Sequence, residues 1–363
     1  MTSITAPSPA VRRSPGRLRT FWTTLRAVVT RELRWRMRGR RAFVVATVFV
    51  LLLGLLVFGI QQLASATFGV SSQWILSDPM DGTQILAPEV TSGLTGTGAS
   101  LVGASVYGAL LVMLTILVMI VAPALASGVI SSEREKQTLE LLVTTPISSL
   151  GLVVGKLVAS LAYVLLLLVA SVPLMTIAYV FGGVGPEDVL RAYVVVLAVA
   201  FGLGALGLFL SALIGRTQLA LVVAYIVILL LTVLTFAVHG WMYLSSVDDN
   251  GRFGVVSEER HAPEPLLWLN PAVADADVLC SALPESRVFC AYTSAVIGRD
   301  VNEPTPPRDA LWPKVVAGLV AFGVALTLLT TQLISPSRGI RAGRRRRRVS
   351  AASAPPGVGA ELG

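Results

Sequence analysis

The chain has 363 residues, of which 54% are hydrophobic and 14% charged, and its formal net charge is +8. A soluble globule of this length could not cover so much apolar surface, so the composition argues against a soluble protein. The basic surplus does not favour a nucleic-acid partner, because the basic residues flank apolar segments and no nucleic-acid-binding motif is present. We therefore expect an integral membrane protein.

Six apolar runs have about the length that an α-helix needs to cross a bilayer. They cover approximately residues 42–60, 107–130, 157–181, 192–214, 220–240 and 312–334. None of their cores contains Asp, Glu, Lys or Arg, so no charge has to lie in hydrocarbon. The pattern predicts an all-α membrane protein with six transmembrane helices.

The basic residues indicate how these spans are oriented. With the N-terminus in the cytoplasm, six spans return the C-terminus to the same side, and the inner segments then hold 22 of the 29 Lys and Arg residues. This asymmetry follows the positive-inside rule. We expect a multi-pass plasma-membrane protein with both termini cytoplasmic.

The two ends of the chain are basic. Residues 1–18 lack an apolar period and are predicted to be a disordered tail, whereas apolar residues recur at helical spacing from Arg19 onwards, with arginines between them. This second pattern predicts an interfacial helix, either an anchor that fixes topology or an elbow that positions the first span. Residues 336–363 form a basic cytoplasmic tail whose run Arg344–Arg348 favours contact with anionic lipid, with a partner-docking site as the alternative.

Apart from residues 131–156, four connections separate the six spans. Residues 61–106 are predicted to be a polar outer loop, and residues 182–191 and 215–219 to be short turns. Residues 241–311 are predicted to be the largest water-exposed piece, with 11 of the 21 acidic residues and both cysteines, Cys280 and Cys290. An outer location would allow these cysteines to form a disulfide, although two free thiols remain the alternative.

Several spans contain prolines, which interrupt helical hydrogen bonding, or glycines, which have no side chain. Pro123 and Pro173 lie within apolar runs, and Gly202, Gly204 and Gly207 give the fourth span small-residue faces. Such positions permit either close helix packing or a moving bend.

The sequence lacks the residue groupings of common catalytic sites. The run Gly151–Leu157, GLVVGKL, has one residue too few for a phosphate-binding loop and ends on Leu where Ser or Thr would hold magnesium. No HExxH, CxxC or GxSxG grouping occurs, and the two histidines are far apart. We predict no catalytic, cofactor or metal site on this chain, and the charge-free spans do not favour an ion-driven transporter.

The segment 131–156, SSEREKQTLELLVTTPISSLGLVVGK, places charges between the second and third spans. Ser132 and Glu135 have the spacing of a capping box, which predicts a helix start, and Thr145 before Pro146 predicts its end. Leu139, Leu142 and Val143 would share one face. The segment therefore predicts a short amphipathic cytoplasmic helix at 132–143 to which a soluble partner could dock.

This segment resembles the signature of ABC-2 type transporter permeases, which reads close to E-R-E-x-G-T-L-E-x-L-L-x-T-P-x-S and is followed by Gly-Lys. RELRWRMRGRRAF before the first span resembles the elbow region of that family, and LLWLNP at 266–271 resembles its Asn-Pro segment. The resemblance covers about residues 19–335, the expected transmembrane domain. Gln137 departs from the pattern, since the family commonly has Gly there.

The resemblance implies a permease subunit of an ABC transporter, with no enzymatic activity of its own. ATP would bind to a separate ABC ATPase subunit, and a second permease subunit would complete a homodimer or heterodimer in the lipid bilayer. Transport would be export, the direction that predominates in the family. The residues implied as the ATPase-docking, or coupling, helix are Glu133, Glu135, Lys136, Thr138, Leu139, Glu140 and Leu142.

Two other classes of function remain open at the level of sequence. A membrane scaffold or assembly factor could keep the docking helix and carry no substrate. A channel would usually need a polar lining, whereas the hydroxyl side chains of these spans are scattered. The substrate itself is not encoded in any recognisable motif, although charge-free spans favour a hydrophobic cargo over a charged one.

Overall fold

The computed structural model describes residues 17–37, 40–67, 90–136, 149–244, 264–282 and 310–334. Within these ranges the chain is helical apart from short turns, and no strand occurs in them. The α-helices are α1 (Arg17–Met37), α2 (Arg40–Thr67), α3 (Val90–Glu135), α4 (Ser149–Phe181), α5 (Pro186–Ile214), α6 (Thr217–Leu229), α7 (Thr235–Leu244), α8 (Pro271–Ala282) and α9 (Trp312–Ile334). A π-helix, Leu230–Leu234, joins α6 to α7, and a 3-10 helix, Glu264–Leu269, precedes α8.

Among the described residues, six helical segments are long and apolar enough to cross a membrane. They are Phe43–Leu63, Gly103–Glu135, Ser149–Phe181, Pro186–Ile214, Thr217–Val238 and Trp312–Ile334. Their number and order confirm the prediction of an all-α protein with six candidate spans. We use "lower end" for the end of the bundle at the Gly215 turn and "upper end" for the end at the Gly182 turn.

The helices extend further than the apolar runs suggested. Much of the predicted loop 61–106 is helical, because α2 continues to Thr67 and α3 begins at Val90. A change in hydropathy marks only where the apolar residues end. A helix continues until its backbone leaves the helical conformation. Likewise, α1 begins at Arg17, inside the segment 1–18 that was predicted to be disordered; residues 1–16 and 335–363 lie outside the described residues.

Both predicted turns are shorter than expected. The turn of 182–191 occupies only residues 182–185, because Pro186 is the first residue of α5, a position where its missing N–H removes no helical hydrogen bond. The turn of 215–219 occupies only Gly215 and Arg216. Gly215 has a φ of 73°, the left-handed conformation in which a helix commonly ends, and α6 starts two residues later.

Helix α5 lies at the centre of the bundle. In the most apolar segment of α5, 78% of the residues are buried, compared with 17% in the first span and 17% in the fifth. A Cβ atom on Gly202 would lie 3.1 Å from the carbonyl oxygen of Leu319 in α9, and one on Gly207 would lie 3.1 Å from Cα of Pro123 in α3. A Cβ on Gly204 would lie 3.3 Å from the Leu161 side chain in α4. The three glycines therefore allow three neighbouring helices to approach α5 closely.

Helix α1 packs against α4, the helix of the third span. A Cβ atom on Gly155 would lie 3.0 Å from Cβ of Val28, so the absence of a side chain at Gly155 lets the two helices cross there. Trp22, by contrast, is 64% exposed. The predicted helix in this region is therefore present, and its apolar face is used against another helix of the same chain.

Candidate functional site

The predicted docking helix falls partly within the described residues. Glu133, Glu135 and Lys136 lie at the lower end of α3, whereas Thr138, Leu139, Glu140 and Leu142 lie outside the described residues. The predicted helix start at Ser132 is wrong. Ser132 belongs to the last turn of α3, and its carbonyl oxygen accepts a hydrogen bond from the backbone N–H of Lys136 at 3.1 Å.

The capping-box prediction failed because the carboxylate of Glu135 caps a different helix. Its Oε1 accepts a hydrogen bond from the backbone N–H of Thr217 at 2.9 Å, and its Oε2 accepts one from the Thr217 hydroxyl at 3.2 Å. Thr217 is the first residue of α6, whose free N–H groups and partial positive charge favour a carboxylate. Glu135 therefore joins the end of the second span to the start of the fifth.

Lys156 joins the second span to the third. Its Nζ donates a hydrogen bond to Oε1 of Glu133 at 2.7 Å and another to the carbonyl oxygen of Val129 at 3.2 Å. The Lys156 side chain is only 3% exposed, and that of Glu133 is 21% exposed. A buried ammonium group requires such partners, because desolvation without them would be costly. The ion pair therefore joins the two helices between which residues 137–148 lie in the sequence.

Ser211 joins the second span to the fourth. Its Oγ accepts hydrogen bonds from the backbone N–H groups of Ile130 at 3.1 Å and Ser131 at 2.9 Å. The Ser131 hydroxyl in turn donates to the Thr217 hydroxyl at 3.1 Å. Ser211 and Ser131 are fully buried. We call the group Ser131, Glu133, Glu135, Lys156, Ser211 and Thr217 the lower junction.

The lower junction connects four helices, α3, α4, α5 and α6, through hydrogen bonds that its polar side chains make to each other and to backbone groups. Of its members, only Glu133 and Glu135 were predicted as site residues; a single serine or threonine in an apolar run gives no indication of its partner. In the part of the chain that the structure describes, no three His, Cys, Asp or Glu residues are grouped as metal ligands would be.

A second polar region lies towards the upper end, in the segment predicted to be water-exposed. For residues 267–280 that prediction is wrong, because none of them is exposed and Asn270, Asp275, Asp277 and Cys280 are all buried. Asn270 precedes α8, and its Oδ1 accepts a hydrogen bond from the backbone N–H of Ala272 at 3.0 Å, which caps the helix. The Asn-Pro motif is thus a helix start, with Pro271 as its first residue.

Asn270 also holds the fifth span. Its Nδ2 donates hydrogen bonds to the carbonyl oxygen of Thr232 at 3.2 Å and to the hydroxyl of Thr235. Thr232 lies in the π-helix Leu230–Leu234, where the usual backbone pairing is altered and a side chain can reach a carbonyl oxygen. The N-terminal end of α8 is therefore held in place by a neighbouring span, through the residue that caps it.

The two aspartates of α8 contact different helices. Oδ2 of Asp277 accepts hydrogen bonds from the backbone N–H groups of Leu311 at 2.8 Å and Trp312 at 2.9 Å, at the start of α9. Oδ1 of Asp275 accepts a hydrogen bond from the hydroxyl of Thr115 in α3 at 3.1 Å. Burial raises the pKa of Asp275 to about 7, although the Thr115 hydrogen bond opposes the shift.

Cys280, near the end of α8, is 3% exposed and disulfide-bonded. The chain contains one other cysteine, Cys290, which lies outside the described residues. The pairing of these two cysteines therefore stays a prediction.

The described residues contain six long apolar helical segments, one of which is largely buried by its neighbours, and these define a multi-pass membrane protein. A comparison with protein families matches the model of the ABC-2 family transporter protein to residues 26–293. This range includes five of the six candidate spans, the lower junction and α8, and it covers well over half of the chain. The chain therefore belongs to the ABC-2 transporter family, whose members are membrane subunits. No curated protein matches the chain.

Proposed function

We propose that this protein is the permease subunit of an ABC transporter, in which a separate ABC ATPase subunit supplies the energy for export. Membership of the ABC-2 family carries the proposal. The lower junction supports it, because the charged segment between the second and third spans begins and ends on helices that are joined to each other and to two further spans.

The lower junction suggests how movement would pass from the ATPase into the spans. A partner that pushed on residues 137–148 would load α3 and α4 together, because Lys156 and Glu133 hold their ends 2.7 Å apart at the salt bridge. Ser211 and Glu135 would pass the load to α5 and α6. Packed interiors transmit strain because they are dense and poorly compressible. A small displacement would therefore move four spans as one unit.

In this proposal the lower end of the bundle faces the cytoplasm of a plasma-membrane protein, and ATP binds only to the partner. Glu133, Glu135, Lys136, Thr138, Leu139, Glu140 and Leu142 form or border the docking surface. A second permease subunit completes the pathway. The first and fifth spans suit contact with lipid or with that subunit, because each is only 17% buried within the chain.

The structure sharpens the experiment that tests docking. Leu139→Asp places a charge on the predicted apolar face and should reduce recovery of the ATPase in a pull-down from membranes. Glu135→Ala removes the cap of α6, so it should also lower the free energy of unfolding, by about 1 kcal/mol. Gln137→Gly restores the commoner family residue and is the matched control that should recover the partner normally.

The comparison is made at equal amounts of membrane-inserted protein. Equal recovery of the ATPase by wild type and Leu139→Asp, with unchanged ATP hydrolysis, would contradict the proposal. Normal recovery and hydrolysis without any ATP-dependent substrate movement would instead favour a scaffold. Substrate movement that continues without ATP would favour a channel.

A further inference from the structure

Helix α8 is wedged among the candidate spans at the upper part of the bundle. Leu279 lies against Gly108 of α3, where an added Cβ would come within 2.8 Å of its Cδ1. Its apolar residues Val273, Ala274 and Val278 are almost completely buried. In the middle of α8, Asp277 holds the start of α9 through two hydrogen bonds. The surface that α8 covers on α3 would meet water if the two helices separated.

Three aspartates are buried in this part of the molecule, and two of them have compensated charges. Asp188 lies 2.9 Å from the guanidinium group of Arg191 and also accepts a hydrogen bond from the backbone N–H of Gly185. Asp277 accepts hydrogen bonds from two backbone N–H groups at the N-terminus of α9, the positive end of the helix dipole. Both arrangements stabilise an ionised carboxylate.

Asp275 differs from both. It is 5% exposed, and the hydrogen bond that it accepts comes from a neutral hydroxyl, that of Thr115. The ionised form of a carboxyl group is disfavoured in such surroundings, because one neutral hydrogen bond does not replace the water that burial removes. The protonated form suits the site, since its second oxygen carries the proton while the first still accepts from Thr115.

The ionisable groups on the neighbouring elements do not reverse this preference. Helix α3 contributes Tyr107, whose hydroxyl donates to the backbone carbonyl of Asp188. Helix α5 contributes Asp188 and Arg191, which pair with each other, and α9 contributes Lys314. The 3-10 helix begins at Glu264 and contains no other ionisable residue, and the other carboxyl group of α8, on Asp277, is held by α9. Burial is the main influence on the pKa of Asp275.

We propose that Asp275 is a proton-binding site that controls the packing of α8 against α3. With α8 packed, the carboxyl group holds a proton; when α8 moves away, water hydrates the carboxylate and accepts that proton. The pKa of Asp275 is higher when α8 is packed than when the carboxyl group is hydrated. Because the packed state binds the proton more tightly, packing is strongest at low pH and weakens as the pH rises through about 7. A change of pH at the upper end would thus shift the bundle between two arrangements.

The test is hydrogen–deuterium exchange of the purified full chain in lipid nanodiscs at pH 6 and pH 8, without any ATPase, with exchange times scaled for the intrinsic pH dependence. In the wild type, protection of the peptide covering Pro271–Ala282 should fall as the pH rises, by up to about tenfold per unit below about pH 7 and little above it, and so by about tenfold in total between pH 6 and pH 8 for one proton. A peptide from the centre of α5 serves as the internal reference. Because no ATPase is present, the result does not depend on the proposed transport function.

Three variants identify the group responsible. Asp275→Asn keeps an oxygen acceptor for Thr115 and should protect α8 equally at both pH values. Thr115→Val removes the hydrogen bond that lowers the pKa of Asp275, so the pH at which the protection of α8 levels off should be higher. Asp277→Asn should loosen the start of α9 yet leave the pH dependence in place. Protection of wild-type α8 that does not change with pH would overturn the proposal, whatever the variants do. A pH effect that persists in Asp275→Asn would overturn it as well.

Discussion

The ammonium group of Lys156 lies 2.7 Å from the carboxylate of Glu133, which places an ion pair between the second and third spans at the point where the chain leaves one and enters the other. Lys156 is 3% exposed, so its charge has almost no access to water. The pair is therefore required once the lysine is present, because an unpaired buried charge is far more costly than no charge at all.

Glu133→Ala should lower the free energy of unfolding by about 3 kcal/mol, because it removes the carboxylate that pairs with the buried Lys156 ammonium group. Thermal unfolding of the purified chain in detergent measures the loss. The matched control is the double variant Lys156→Met with Glu133→Gln, which removes both charges and should recover most of the stability. A double variant as unstable as Glu133→Ala would show that the charge itself is not the cause.

Gly318→Ala should destabilise the packing of α9. An added Cβ would lie 2.6 Å from the carbonyl oxygen of Trp268, a backbone atom that cannot rotate away. We expect a loss of about 1–3 kcal/mol, typical of overpacking. Gly54→Ala is the control, because no atom lies within 4 Å of its added Cβ and alanine favours a helix. Equal unfolding midpoints for the two variants would contradict this account of the contact.

Reporter fusions should find residues 145 and 350 on the cytoplasmic side and residues 85 and 295 on the outer side. The reason is the excess of Lys and Arg in the segments assigned to the cytoplasm, 22 of 29. All four sites avoid the described helices, whereas a fusion at Asp275 would break a buried contact. An external position for residue 145 or 350 would refute the proposed topology.

Alkylation without reductant, followed by mass spectrometry, should label neither Cys280 nor Cys290. Cys280 is disulfide-bonded, and Cys290 is the partner that the chain itself can supply. After reduction both residues should take the label. Cys290→Ser should lower the unfolding temperature, because it opens a loop that starts on α8. Full labelling of both thiols in the unreduced protein would exclude the bridge.

The number and order of the spans could be predicted because each is a long apolar run with a length fixed by the bilayer. The limits of the helices could not, because helical hydrogen bonding continues into polar residues such as those after Val90. The motif formed by Ser132 and Glu135 did not predict the limits of a helix either. Their spacing is compatible with a helix start and with a helix end, and the choice depends on Thr217, a residue more than eighty positions away.

The buried aspartates show a second limit of sequence-based prediction. Residues 241–311 are polar and acidic overall, which favours exposure, yet α8 lies within this stretch and is buried with both of its carboxyl groups. The Asn-Pro motif indicated this place only through the family resemblance. Its structural meaning, a capped helix start that also holds the fifth span, depends on a π-helix that no local pattern predicts.

The central position of α5 has a consequence for how the protein is made. Spans enter the membrane in the order of synthesis, but the surface of the fourth span around Gly202 is covered by Leu319, which belongs to the last span. During translation that surface stays open to lipid, or to the insertion machinery, until the chain beyond Trp312 has emerged from the ribosome. Assembly of the bundle is therefore completed late, and a chain that stops before α9 would present an uncovered small-residue face to the quality-control proteases of the membrane.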